Sequence, residues 1–226
     1  MYSHILKDET TLLIFSDTHL THKFDKKKYD FLVKLISQAD NVIINGDFWD
    51  YYLTSWEKFL KSQWKALFPL LKSKHAIYIY GNHDTKLFSD TRVNLFSVLQ
   101  TEKYKLKVKN HILNIQHGHL IVPTIDVSHS SFRRKSLISI SQKLEEKNIF
   151  LLSKPLMLRI SRKQNKVLKK YSVEELPANE ILVCGHTHLA VFGEKAKYLN
   201  TGRIRYGEAQ GLFVTNGQFQ FINARY

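Results

Sequence analysis

Four short apolar runs in this chain end in the same kind of cluster, a small residue or Asn followed by Asp, Asn or His. Leu12-Leu13-Ile14-Phe15 leads into Ser16-Asp17-Thr18-His19, and Val42-Ile43-Ile44-Asn45 into Gly46-Asp47-Phe48-Trp49-Asp50. Ala76-Ile77-Tyr78-Ile79-Tyr80 leads into Gly81-Asn82-His83-Asp84, and Ile181-Leu182-Val183-Cys184 into Gly185-His186-Thr187-His188. Short runs rich in β-branched and aromatic residues read as buried strands. A strand ending in a carboxylate or imidazole delivers that group to the carboxyl edge of a sheet, where ligands of α/β proteins gather. One Gly-Asp alone makes an ordinary turn. The repetition is what constrains the fold: several strand ends must carry polar ligands.

Between the first two runs, Tyr29, Leu32, Val33 and Ile36 recur at helical spacing, which predicts an amphipathic helix over 26–38. Strand, helix and strand in that order form a β-α-β unit, so a parallel pair with a right-handed crossover is expected. Thr54-Ser55-Trp56-Glu57 has the capping-box pattern and predicts a helix reaching about residue 71, with Pro69 kinking or ending its last turn. A further helix is expected over 91–99. From Tyr104 the period changes to two: Tyr104, Leu106 and Val108 alternate with lysines, and the Asn110-His111 turn leads to Ile112-Leu113-Asn114-Ile115. That is a hairpin with one solvated face, and it delivers Gln116-His117-Gly118-His119. Short strands are expected around Val191, 198–199, 204–206, 212–214 and 219–222, the last two joined by a tight turn at Asn216-Gly217.

Length and composition set bounds. At 226 residues and 43% hydrophobic the chain can bury a sizeable core, and one domain over 1–226 is the natural expectation. Its apolar stretches fall well short of the roughly 18 residues a spanning helix needs. Met1-Tyr2-Ser3-His4 lacks a basic region followed by an apolar core, so no signal peptide is expected. The single cysteine, Cys184, excludes an internal disulfide framework and fits a reducing cytoplasm, with an inert buried thiol as its expected state. A formal charge of +14 points to an anionic partner: nucleic acid, a phosphorylated substrate or an acidic membrane surface. The charge is concentrated. Residues 128–171 hold twelve Lys or Arg against Glu145 and Glu146. This stretch reads as helical, broken at Pro155, and forms a basic insertion or cap at about 128–172.

Asp, His and Asn at strand ends offer oxygen and imidazole donors without thiolate, which suits manganese, iron(II) or zinc better than a structural cysteine site. Two such ions roughly 3.5–4 Å apart clamp a phosphoryl group, with a carboxylate between them as the usual bridge. Together, Asp17-x-His19, Gly46-Asp47-x-x-Asp50, Gly81-Asn82-His83-Asp84, His117 and Gly185-His186-x-His188 resemble the five-part signature of calcineurin-like metallophosphoesterases. The resemblance implies an α/β fold, a four-layer α-β-β-α sandwich of two mixed sheets with a helical insertion. It implies one divalent ion held by Asp17, His19, Asp47 and His188, and a second held by Asp47, Asn82, His117 and His186. Manganese is the first expectation, with iron(II), zinc or nickel as alternatives. Asp47 would bridge the ions, and a metal-bridging hydroxide would attack phosphorus in line. His83 would protonate or stabilise the leaving oxygen, steadied by a carboxylate behind it. Asp50 matches that role in the family, and Asp84 is the competitor. His119 stays open between a residue behind the ligands, a phosphate contact and a turn.

The segment Gly46-Asp47-Phe48-Trp49-Asp50-Tyr51-Tyr52 looks like the aromatic version of this motif in UDP-2,3-diacylglucosamine hydrolases, which cleave a pyrophosphate and carry a basic helical cap between the fourth and fifth motifs. His119 departs from them, since they usually have Asp there. Tyr198-Leu199-Asn200-Thr201-Gly202 is similar to a late motif of the wider family. The resemblance implies a pyrophosphatase of this kind, with a phosphorylated or lipid-linked nucleotide as substrate. Arg133, Arg134, Arg159 and Arg162, with Lys135 and Lys163, are then candidates to receive a diphosphate. The apolar residues of 149–158 would hold acyl chains, meet an anionic membrane at its cytoplasmic face, or pack the insertion onto the core. The alternatives are a general nucleotide or nucleic-acid phosphodiesterase, nucleic acid being the less favoured partner, and a non-catalytic scaffold of the same fold.

Overall fold

Alternation along the strands builds the layers of this molecule. The computed structural model describes residues 4–123, 150–193 and 197–226. After a two-residue strand, β1 (His4–Ile5), come β2 (Leu12–Phe15), β3 (Asn41–Asn45), β4 (Ile77–Ile79) and β5 (Leu99–Thr101), which lie parallel and adjacent. The second sheet runs β1, β6 (Lys103–Val108), β7 (His111–Gln116), β8 (Glu180–Cys184), β9 (Tyr198–Asn200), with only the β6–β7 hairpin antiparallel. The chain then returns to the first sheet through β10 (Ile204–Arg205), β11 (Glu208–Thr215) and β12 (Gln218–Arg225). β11 pairs antiparallel with β12 along one edge, and with β10 and then β2 along the other. Both sheets are therefore mixed.

In β2, Leu12 and Ile14 face the second sheet while Leu13 and Phe15 face helices. Leu12, Ile14, Ile43, Ile79, Leu212 and Val214 of the first sheet pack against Leu106, Leu113, Ile115, Val183 and Leu199 of the second. On the other side, Leu13, Phe15, Val42, Ile44 and Tyr78 share a core with Leu32, Phe59, Trp64 and Leu71. These come from α1 (Lys26–Ser37), α2 (Trp56–Lys61), the 3₁₀ turn Gln63–Leu67 and α3 (Phe68–Ser73). Against the outer face of the second sheet lies α4 (Phe150–Glu174), where Leu168 joins Leu182, Cys184 and Tyr198. The order of layers is helix, sheet, sheet, helix, as the family resemblance implies. Each fully buried Leu, Ile or Phe contributes roughly 1.5–3 kcal/mol, so these three clusters supply most of the gross stabilisation.

Several local expectations are corrected. Ser55, not Thr54, caps α2, accepting from Lys58 N at 3.4 Å. The Thr54 hydroxyl instead meets His22 Nδ1 at 3.0 Å, a tertiary partner the local pattern cannot reveal. The helix expected to reach residue 71 stops at Lys61, because Ser62 is extended (φ −71°, ψ 169°). Pro69 then opens α3 rather than closing a longer helix; in a first turn its missing N–H costs nothing. Over 91–99 only a 3₁₀ turn forms, Thr91–Leu95, followed by β5. Pro155 lies inside α4 without breaking it, since later turns of that helix are tied to the second sheet. No helix among the described residues is long and apolar enough to cross a membrane. Cys184 is buried and free, and burial raises its pKa, so the thiol is inert as expected. Residues 128–149 of the basic stretch, with Arg133, Arg134 and Lys135, lie outside the described residues.

Candidate metal centre

The strand ends of both sheets meet at one place and are stitched together by their backbones. Asp17 N donates to Gly46 O (3.1 Å), His19 N to Asp47 O (2.9 Å) and Gly185 N to His117 O (3.0 Å). Asp17, His19, Asp47, His186 and His188 all have positive φ, between 44° and 67°. Asp and His are among the few residues other than Gly that tolerate this region, and each position still costs of order 1 kcal/mol. Such strain persists only where the surroundings impose it, and it clusters at functional sites.

One donor group consists of Asp17, His19, Asp47 and His188, whose ligand atoms lie within 4.8 Å of one another. Asp17 Oδ1 is 3.1 Å from His188 Nε2, and His19 Nε2 is 3.6 Å from Asp47 Oδ2. His19 Nε2 also faces His188 Nε2 at 3.1 Å. Burial, then the nearby His83, lowers the His19 pKa to about 3, so its ring is neutral. Its Nδ1–H donates to Asp50 Oδ2 (3.0 Å), which leaves a lone pair on Nε2 pointing at the second imidazole.

The second group continues from the other side of Asp47. His117 Nε2 lies 3.2 Å from the same Asp47 Oδ2, while His117 Nδ1 donates to Asn45 O at 2.8 Å. His186 Nδ1 faces Asn82 Oδ1 at 2.9 Å. Burial, then the charge of His117, lowers the His186 pKa to about 3. The neutral ring has one N–H for two oxygen neighbours, Asn82 Oδ1 at Nδ1 and Val122 O at Nε2 (2.9 Å), so one nitrogen lone pair confronts an oxygen. Two acceptors in contact repel each other, and a shared cation reverses the sign of that interaction. Asp17 Oδ1 and His117 Nε2 are buried, and the polar atoms they face are His188 Nε2 and Asp47 Oδ2, members of the same two donor groups. Buried oxygen and nitrogen donors that converge on one another fit borderline divalent ions.

Charge within the centre is balanced by proximity. Burial opposes ionisation of Asp47, but His117 above all holds its carboxyl well below the usual range. Burial likewise opposes ionisation of Asp17, and His188 overcomes it. For His117 burial disfavours the proton, yet Asp47 more than compensates and the pKa rises to about 10. A cation between Nε2 and Oδ2 would replace that proton.

Of the two carboxylates considered for the place behind His83, Asp50 is the one that lies against its ring. Its Oδ2 is 3.2 Å from His83 Nδ1 and 3.0 Å from His19 Nδ1, and Tyr52 N donates to Oδ1 at 3.0 Å. One carboxylate thus orients both His83 and His19, a double role the sequence did not suggest. Asp84 takes neither part. Its Oδ1 accepts from Asp47 N (3.0 Å) and Gly81 N (2.7 Å), and its Oδ2 from Phe48 N (2.6 Å), tying two strand-end loops together. His119 is buried beside His117 and His186, with ring centroids 5.5 and 6.3 Å away, and burial first, then His117, lowers its pKa to about 4. Arg159 and Arg162 are exposed on α4, off the face that carries Ser161 and Asn165 against the centre. Phe48 and Trp49 are core residues, in contact with Phe59.

The family model of the calcineurin-like phosphoesterase superfamily domain matches residues 11–216. No curated protein sequence matches significantly. Among solved structures the chain is similar to an archaeal phosphodiesterase, at 16% identity over 94% of this chain and 99% of that one, with a TM-score of 0.50. It is also similar to Yfce, a phosphoesterase from E. coli (18% identity, 91% and 88% covered, TM-score 0.49), and to a Vps29 mutant from Entamoeba histolytica (13%, 96% and 99%, 0.47). At 16% identity the likeness to the archaeal protein is one of fold. With the family model spanning nearly the whole chain and the carboxylate–imidazole cluster at its strand ends, the chain belongs to the calcineurin-like phosphoesterase superfamily and is a metal-dependent phosphoesterase.

Proposed function

We propose that the chain hydrolyses a phosphodiester or pyrophosphate bond at a centre of two divalent cations, manganese first among them. The observation that carries this reading is Asp47, whose Oδ2 faces His19 of one donor group and His117 of the other. Asp17, His19, Asp47 and His188 would hold one ion, and Asp47, Asn82, His117 and His186 the second. When bound, such ions supply Lewis acidity toward phosphoryl oxygens and make water acidic enough to attack at neutral pH. The chain's own residues then orient and protonate. Asp50 accepts from His83 Nδ1, which fixes the ring and assigns Nε2 to the leaving oxygen. Asp50 also fixes the tautomer of His19, the usual support for a ligand imidazole.

The test is hydrolysis of bis-p-nitrophenyl phosphate by chelator-stripped protein reloaded with Mn²⁺. Asp47→Ala is expected to lower activity at least ~100-fold, since it disturbs both donor groups. An Asp47→Ala chain as active as wild type on every phosphoester and pyrophosphate would refute the proposal.

A lipid-linked nucleotide pyrophosphate, of the UDP-2,3-diacylglucosamine kind, draws support from the outer face of α4. There Arg159, Arg162 and Lys163 stand among exposed Leu156, Met157 and Ile160, an amphipathic arrangement suited to an anionic head with apolar tails or to an anionic bilayer surface. A screen across UDP-linked lipids, dinucleotides and phosphomonoesters tests the substrate. Cosedimentation with vesicles of phosphatidylcholine alone against phosphatidylcholine with phosphatidylglycerol tests the surface, and binding that ignores the anionic lipid would remove it.

A further inference from the structure

We infer that Asn165 is a positioning residue: from α4 it holds the loop carrying His186 and His188, and so sets how tightly the centre binds its cations. The inference rests on the two-ion reading above. α4 turns Ser161, Asn165, Leu168 and Ser172 toward the second sheet, at helical spacing. Leu168 is the apolar contact there. Asn165, one turn earlier, is a carboxamide buried on a face where an aliphatic side chain is the default. Burying an amide is unfavourable unless its atoms are bonded, and here both ends are. Nδ2 donates to Leu189 O (3.0 Å), and Oδ1 accepts from Thr187 Oγ1 (2.9 Å) and Tyr198 OH (2.6 Å).

Those partners define the role. Thr187 lies between His186 and His188, and Leu189 follows directly, so one side chain grips the loop on both flanks of His188. Ser161 Oγ adds a bond to Thr187 O (2.7 Å), and from the sheet side Asn200 Nδ2 donates to Gly185 O (2.7 Å) and Thr187 Oγ1 (3.1 Å). The loop does not hold its shape by its own preference, because His186 (φ 67°) and His188 (φ 56°) are both left-handed. An imposed conformation needs something to impose it. His188 serves the Asp17 group and His186 faces Asn82, so this loop carries one donor for each ion. Slackening it should be felt at both.

The experiment is calorimetric titration of the metal-free full chain with Mn²⁺. Wild type should bind two ions. Asn165→Ala should bind both at least ~10-fold more weakly, the usual consequence of removing support behind a ligand. At saturating Mn²⁺ its kcat on bis-p-nitrophenyl phosphate should stay within about twofold of wild type, because the residue touches no reacting atom. Ser161→Ala, which removes a single bond and leaves the helix face packed, should weaken binding about threefold. It decides the matter where Asn165→Ala does not fold. Wild-type Mn²⁺ affinity in these variants, even with lower melting temperatures, overturns the positioning role. Absence of Mn²⁺ binding by wild type overturns the two-ion reading instead, which keeps the two failures distinct.

Discussion

Replacing Gly46 by Ala probes the centre from behind, through backbone geometry rather than through a ligand. Gly46 has φ +85°, and a Cβ built on it would lie 2.4 Å from His117 Nδ1 and 2.5 Å from His117 Cγ. The ring cannot retreat without giving up its 2.8 Å bond to Asn45 O and moving Nε2 away from Asp47. Three costs follow: about 1 kcal/mol for a left-handed Ala, ~1–3 for overpacking a rigid site, and about 1 for the lost hydrogen bond. The sum is about 3–5 kcal/mol, which for a chain of this length lowers the melting temperature by roughly 6–20 °C. Gly207→Ala is the matched control. It shares the positive φ (+76°), but its Cβ would meet nothing nearer than Tyr226 O at 3.7 Å, so only the backbone cost applies, roughly 2–4 °C. Thermal melts of the chelated proteins measure both, and Gly46→Ala should also bind Mn²⁺ more weakly. If Gly46→Ala melts within about 2 °C of Gly207→Ala, the claim that His117 is rigidly placed against this turn is wrong.

Three other outcomes are expected. The His117 pKa of about 10 lies above its unfolded value near 6.5, so in metal-free protein this imidazolium stabilises the fold fully below about pH 6.5 and loses that contribution as the pH rises through 10. Metal binding near pH 7.5 must then expel about one proton, and calorimetry in buffers of different ionisation enthalpy should register it; heats independent of buffer would contradict the assignment. Asp84→Asn should cost about 1–3 kcal/mol in a denaturant melt, because its new NH₂ must face a backbone N–H that the carboxylate now accepts; an unchanged midpoint would count against that bonding role. His83→Gln should lower kcat about 10²–10⁴-fold on substrates with alkoxide leaving groups and far less on p-nitrophenyl esters, whose leaving group needs no proton; equal losses on both would rule out the acid role.

The strands were legible because burial on both faces leaves runs such as Leu12 to Phe15 almost wholly apolar, and no helix that short competes. The proposed ligands were legible because each follows such a run directly. Helix boundaries were less so. Thr54 and Ser55 are equally good caps in isolation, and only the approach of His22 decides between them. Pro69 and Pro155 mark possible breaks, but whether a helix ends there depends on what its next turn packs against. Asp50 was legible as a partner of His83 only through the family pattern, which carries no contact with His19, and separation in sequence hides both. Asn165 left one trace, a polar residue at the packed spacing of a basic helix. Arg159 and Arg162 illustrate the reverse: their charge drew notice, yet they lie exposed, away from the cluster.

The left-handed residues bear on how such a centre persists over generations. Glycine at position 17, 19, 47, 186 or 188 would relax the backbone there by roughly 0.5–1 kcal/mol while deleting a donor. At positions 17 and 47 that gain is outweighed, because the Asp17 carboxylate accepts from His186 N and the Asp47 carboxylate from His83 N, and a buried N–H left without a partner costs about 1–3 kcal/mol. These two carboxylates serve folding and chemistry at once, and a stabilising screen blind to activity should keep them while it relaxes the more exposed His188.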